Sequence, residues 1–145
     1  MKVVSIFLLI LLSGVFFAKG QEPVDLVKQF FIKFDVEGSG PALDFLYKDN
    51  RWMEQNREAI SILKTKMEGL TPDFIGPLHG YELINKKQIS VTYAIYTYLA
   101  KYERQPIRFI FTFYRPDEQW RVQGFRFDAN IDEELEEIVK NDQDE

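Results

Sequence analysis

Hydrophobic and polar positions change period along this chain, from helical spacing in its first half to alternation in its second. From Pro23, the apolar residues Val24, Leu26, Val27, Phe30, Phe31 and Phe34 recur at helical spacing, and proline suits a first helical turn because its missing N–H costs nothing there. Three phenylalanines within five positions need a broad surface to bury against. Periodicity is lost over Asp35–Gly40, which reads as a loop, and Pro41 restarts a short helical piece carrying Leu43, Phe45, Leu46 and Tyr47. A third helix, capped near Asn56, sets Ile60, Leu63 and Met67 on one side and stops at Gly69, a left-handed terminator. The stretch Leu70–Pro77 does not repeat and carries the chain out of the helical layer.

Alternation takes over from Gly80. Gly80–Ile84 predicts a first strand and Asn85–Gln88 a polar turn. Three longer strands follow, Ile89–Tyr102, Pro106–Tyr114 and Gln119–Phe127, with eleven aromatic residues between them. In the second strand Ile89, Val91, Tyr93, Ile95, Thr97 and Leu99 share one face, and Ser90, Thr92, Ala94, Tyr96, Tyr98 and Ala100 the other. In the last strand Trp120 and Val122 stand in one phase and Phe125 and Phe127 in the opposite one, so Gly124 is the expected β-bulge. A short helix over Glu133–Lys140 offers a narrow stripe of Leu135, Ile138 and Val139, and residues 141–145 should fray. A meander with a heavily apolar face needs cover before it can leave water. The expected fold is therefore α+β: N-terminal helices packed on a strongly curved antiparallel sheet, one domain over residues 21–140, with a short C-terminal helix.

Composition adds a location. Lys2, an apolar run from Val3 to Leu12, and the small residues Ala18 and Gly20 make a secretory signal peptide over residues 1–20, which places the mature chain outside the cytoplasm, secreted or periplasmic. No transmembrane span is expected after cleavage. The chain has no cysteine, so stability rests on an ordinary core. Acidity is concentrated at the end: Asp128–Glu145 holds nine acidic residues and one lysine, while the body is close to neutral. That tail, and the lack of a clustered basic patch, argue against nucleic acid as a partner.

Candidate chemistry is sparse. His79, the single histidine, and Asp44, beside Phe45 and ahead of Tyr47, are the weak candidates for acid–base work. Asp128, Asn130 and Asp132 repeat the start of a calcium loop, but its sixth and twelfth positions are Glu133 and Val139, so no metal site is expected. No phosphate-binding loop or dinucleotide fingerprint occurs, so no cofactor is implied. Tyrosine-rich strand faces resemble interface cores, and a homodimer is expected across Tyr96, Tyr98, Arg108, Ile110 and Tyr114, the alternative being cover by the chain's own C-terminal helix.

Three helices followed by a bent meander, with the aromatic block Phe109–Phe127, resemble the cone-shaped superfamily of nuclear transport factor 2 and ketosteroid isomerase. More narrowly, Gly80-Tyr81-Glu82-Leu83 leading into Ile89, Pro106-Ile107-Arg108-Phe109, and Phe113-Tyr114-Arg115-Pro116 before Trp120 look like small exported bacterial proteins of that fold. The resemblance implies a pocket between helices and sheet, here lined by Phe31, Phe34, Phe45, Tyr47, Phe109 and Phe111. It supplies no catalytic residues. The function expected is an exported, non-enzymatic binding domain for a small apolar ligand or an envelope protein. The alternative is an isomerase or cyclase working by proton transfer in the pocket, which a deep cavity with two converging polar groups would favour.

Overall fold

The computed structural model describes residues 20–143. The expected signal segment, Gly20 apart, and the last two residues of the expected tail lie outside them. Helix α1 (Pro23–Glu37) is followed by α2 (Ser39–Tyr47), a 3-10 turn (Arg51–Asn56), α3 (Arg57–Glu68) and the single-turn α4 (Pro72–Ile75). Then come β1 (Leu78–Ser90), β2 (Tyr93–Tyr102), β3 (Pro106–Tyr114), β4 (Arg121–Asp128) and α5 (Ile131–Gln143). The strands form one antiparallel sheet in the order β1-β2-β3-β4, so the class is α+β as expected.

Helix α1 buries Leu26, Val27, Phe30 and Phe31 on one face. The loop expected over Asp35–Gly40 is a single residue, Gly38, whose φ of +92° turns the chain while its N–H bonds the carbonyls of Lys33 and Phe34, both at 3.2 Å. Gly69 keeps a right-handed φ of −70°, against expectation. Past α4, Gly76 does take a positive φ, +83°, and an added Cβ there would stand 2.7 Å from the Cβ of Glu103 in the β2–β3 turn. Only glycine lets α4 pass that turn.

One sheet face and the helices enclose the core. Across β2 and β3, Ala94 opposes Phe113, Tyr96 opposes Phe111 and Tyr98 opposes Phe109. Opposed residues share a face, and here that face is the buried one. Phe30 lies 5.3 Å, centroid to centroid, from both Phe111 and Phe125, and Phe31 stacks 5.5 Å from Phe109 and 3.8 Å from Tyr81. Register in β3–β4 passes from Thr112↔Gly124 to Phe113↔Val122, leaving Gln123 unopposed. This is the bulge expected at Gly124, and it brings Val122 and Phe125 to the same buried side although they are three residues apart.

The first hairpin differs from expectation. β1 runs unbroken through Asn85–Gln88, and the turn lies at Val91-Thr92. The polar residues that suggested a turn are tolerated because β1 is an exposed edge strand, where only the backbone must be paired. Arg115 pins the true turn, its backbone N–H bonding the Thr92 carbonyl at 2.8 Å and its guanidinium the Val91 carbonyl at 2.8 Å. β1 also slips register against β2 at three places, Leu78/Tyr81, Leu83/Asn85 and Gln88/Ser90.

Helix α5 crosses the opposite sheet face at β3. The stripe it turns inward is Ile131, Glu134 and Ile138 rather than the expected Leu135, Ile138 and Val139; Leu135 and Val139 face solvent, 54% and 55% exposed. A charged contact, described below, outweighs the apolar stripe in setting its rotation. The helix continues through Gln143, past the point where fraying was expected.

Candidate functional site

Of the six positions expected to line a central pocket, Phe31, Phe109 and Phe111 are at most 2% exposed. Phe34 packs edge-on to Phe109 at 6.1 Å. Phe45 is buried under the Lys48 ammonium, 4.5 Å from its ring centroid. The space between helices and sheet is filled with rings, and the hollows that exist open at its margins.

A largely apolar groove of about 390 Å³ lies where the ends of α1 and α3 meet the start of β1. Phe34, Met67, Leu70, Leu78 and Tyr102 form its walls, and Asp35 and Glu68 are its only charged residues. A second hollow of about 200 Å³ adjoins it, sharing Asp35 and Leu78 and adding Phe31, Ile32 and Tyr81. Local chemistry explains the opening: Gly38 and Gly76 turn the chain sharply on either side of it, and neither carries a side chain to fill it. Met67 is 1% exposed and seals the floor. The hydroxyl of Tyr102 is buried without a hydrogen-bond partner among the described residues, and burial pushes its pKa up to about 12, so it stays a neutral phenol. Ser39 and Thr71 add hydroxyls to the lining, but no histidine or cationic side chain stands there to activate one.

Asp44 and Tyr47 do share a hollow, elsewhere, at the other end of the α2–α3 pair. It measures about 390 Å³. Asp44 is paired there with the Lys64 ammonium, 2.6 Å from one carboxylate oxygen, and its side chain is largely exposed. His79 stands on β1 with its Nε2 3.8 Å from a Glu103 carboxylate, both side chains well exposed. The two weak catalytic candidates therefore do not converge.

The five expected interface residues fall on two faces. Tyr96 and Tyr98 are 4% exposed on the core side, Tyr98 meeting Phe31 at 6.1 Å and Phe111 at 5.8 Å between ring centroids. They cannot touch a second copy without unfolding. Arg108, Ile110 and Tyr114 lie on the outer face, where Arg108 and Ile110 are also buried, 6% and 4% exposed. Asp128 takes a two-pronged pair of bonds from Arg108 at 2.9 and 3.0 Å, Glu134 accepts a third at 3.1 Å and Glu133 a fourth at 3.2 Å. Asn85 bonds Glu134 at 2.7 Å from the other side. Burial alone would raise the Asp128 carboxyl, but the Arg108 bond and the Asn130 N–H outweigh it and hold the pKa below its ordinary value. The C-terminal helix thus covers part of the face assigned to a partner. What stays open beside it is Tyr93, Ile95, Thr112 and Tyr114, with Ile89 and Val91 at the hairpin tip.

Sequence reasoning placed Phe34 at a pocket but missed the groove it lines, because the other walls come from five further elements. Asp35 sat in a stretch read as loop, and Leu78 fell between the expected connector and the expected first strand. The one signal available was Tyr102, a large residue continuing the buried phase of Ala94, Tyr96, Tyr98 and Ala100. Among the described residues no helix is long and apolar enough to cross a membrane, and no group of histidine, cysteine and acidic side chains could hold a metal ion. Comparison with protein-family models, curated proteins and solved structures finds no match to this chain.

Proposed function

We propose that the chain is an exported binding domain whose ligand, an apolar molecule carrying a positive group, sits in the groove between α1, α3 and β1. The observation that carries this reading is the lining: apolar walls, a volume in the range of small-molecule sites, and two carboxylates, Asp35 and Glu68, with no cationic residue beside them. Neither carboxylate makes an ion pair among the described residues. The ring-filled interior supports binding over proton-transfer catalysis, because the rival reading needs a chamber in which polar groups converge.

Titration of the mature chain with octyltrimethylammonium, followed by amide chemical shifts, tests this. Saturable changes at Phe34, Asp35, Leu70 and Leu78, weakened several-fold in the double variant Asp35→Asn, Glu68→Gln, are expected. Equal binding of octanoate, which has a similar tail and the opposite charge, would remove the electrostatic half of the reading, and no binding of either would end it.

A second reading, a homodimer, draws on the uncovered outer patch, where the rings of Tyr93 and Tyr114 lie 6.4 Å apart and Val91 is 77% exposed. Stable interfaces engage about 800 Å² on each partner, which is the area such a dimer would have to cover. Sedimentation at tens of micromolar decides between a dimer that Tyr114→Glu dissociates and a monomer.

A further inference from the structure

The hollow at the other end of the α2–α3 pair has the opposite electrostatic character. Its cations are Lys48, Arg51, Arg57 and Lys64, and its acids are Asp44 and Glu54 alone. Glu54 is taken up by Arg57 and Asp44 by Lys64. Arg51 has no carboxylate partner among the described residues; its guanidinium rests over the Trp52 ring at 4.8 Å. Lys48 reaches Asp49 only at 4.0 Å.

The floor is built rather than incidental. Asn50, 4% exposed, is locked by its Nδ2 donating to the Val122 carbonyl at 3.1 Å, which fixes the bend between α2 and the 3-10 turn against β4. Tyr47, 9% exposed, faces the Phe125 backbone N–H. Its own proton bonds no acceptor among the described residues. Met53 and Ile60 add apolar surface next to these groups. The lining therefore presents a phenol donor, unneutralised cations and a short apolar wall within one opening.

We propose that this hollow is a second binding site, independent of the α1–β1 groove, for a small organic anion. The ligand's carboxylate or phosphate oxygen accepts from Tyr47 and pairs with Arg51, and its carbon body lies on Met53 and Ile60. Arg51 is the centre of the site because the other two strong pairs are already made, and a guanidinium presents two donors to a planar or tetrahedral oxyanion.

Phenyl phosphate, benzoate and inorganic phosphate are titrated into the mature chain, with benzylammonium as the opposite-charge control, and amide shifts are followed. Saturable shifts confined to residues 44–64 are expected for the two aromatic anions, weaker ones for inorganic phosphate, and none for benzylammonium. A preference between the two aromatic anions identifies which oxyanion the site takes. Arg51→Glu, on the surface and safe for folding, should weaken binding by at least about tenfold, and Tyr47→Phe, which keeps the ring, by about three- to tenfold. The proposal is overturned if no aromatic anion gives saturable shifts at millimolar concentration, if Arg51→Glu leaves affinity unchanged, or if benzylammonium binds as well.

Discussion

Arg108 on β3 and Glu134 on α5 meet at 3.1 Å with side chains only 7% and 5% exposed, and this buried pair fixes where the C-terminal helix lies. Removing one member of such a pair leaves the other charged and unpaired away from water, typically at a cost of 3–5 kcal/mol. Arg108→Met should therefore destabilise the domain by roughly that amount and free α5, because Asp128 and Glu134 both lose their cation. Urea melts would show the loss of stability, and amide exchange would show residues 131–140 losing protection before the sheet does. Unchanged protection of α5 would mean that Ile131 and Ile138 hold the helix without the charge.

Tyr98→Glu separates a core position from an interface position. A carboxylate placed among Phe31, Tyr81 and Phe111 has no partner there, so a loss of about 3 kcal/mol or more is expected, in monomer and dimer alike. Thermal melts of the variant check it. A protein that melted near the native temperature but sedimented at half the mass would restore Tyr98 to an interface.

Alkaline pH should unfold the domain cooperatively. Burial pushes Tyr47, Tyr98 and Tyr102 up to about 12 from an ordinary value of 10.0. A group whose pKa is raised by folding contributes its full stabilisation below its unfolded pKa and loses it as pH climbs toward the folded one. Stability should hold to about pH 10 and fall steeply between pH 10 and 12. Tyrosinate absorbance and circular dichroism would change together across that window. Phenol ionisation well below the unfolding midpoint for all three rings would contradict their burial.

At low pH the sign reverses. Asp128 has its pKa lowered by Arg108 and the Asn130 N–H, so its contribution is present above the ordinary carboxylate value and disappears as pH falls through the lowered one. Asp128→Asn should flatten the acid limb of the stability curve below about pH 4 while lowering stability at neutrality.

Two glycines make a matched pair. Gly76→Ala meets both a positive φ and the Glu103 Cβ, and should cost about 1–3 kcal/mol. Gly40→Ala, inside α2 with nothing within 4 Å of the added methyl, should stabilise by about 0.4–1 kcal/mol. Chemical denaturation of both variants tests the contrast.

Local pattern carried the element types well. The helical spacing from Leu26 to Phe31, the alternation through Phe109, Phe111 and Phe113, and the break at Gly124 each appear in the structure with the periods expected of them. What the pattern could not show was which of two apolar faces would be covered by which helix. Tyr98 and Ile110 look equally able to face a partner, and only the cross-strand register, with α5 docked through a charge, separates core from outer face. The sites were less legible still: Asp35, Met67, Leu78 and Tyr102 span two-thirds of a hundred positions and meet only because two glycine corners fold the chain back on itself. Asp44 and Tyr47, three residues apart on one helix, were easier to associate.

The irregular ladder of β1 reaches beyond its own hairpin. Each slip puts an extra residue into β1 itself, and such bulges bend an edge strand and break the even row of amides and carbonyls that a neighbouring molecule would pair with. A border bent at three places is a poorer template for lengthening the sheet into fibrils than a flat one, even though its hairpin tip leaves Ile89 and Val91 bare to water.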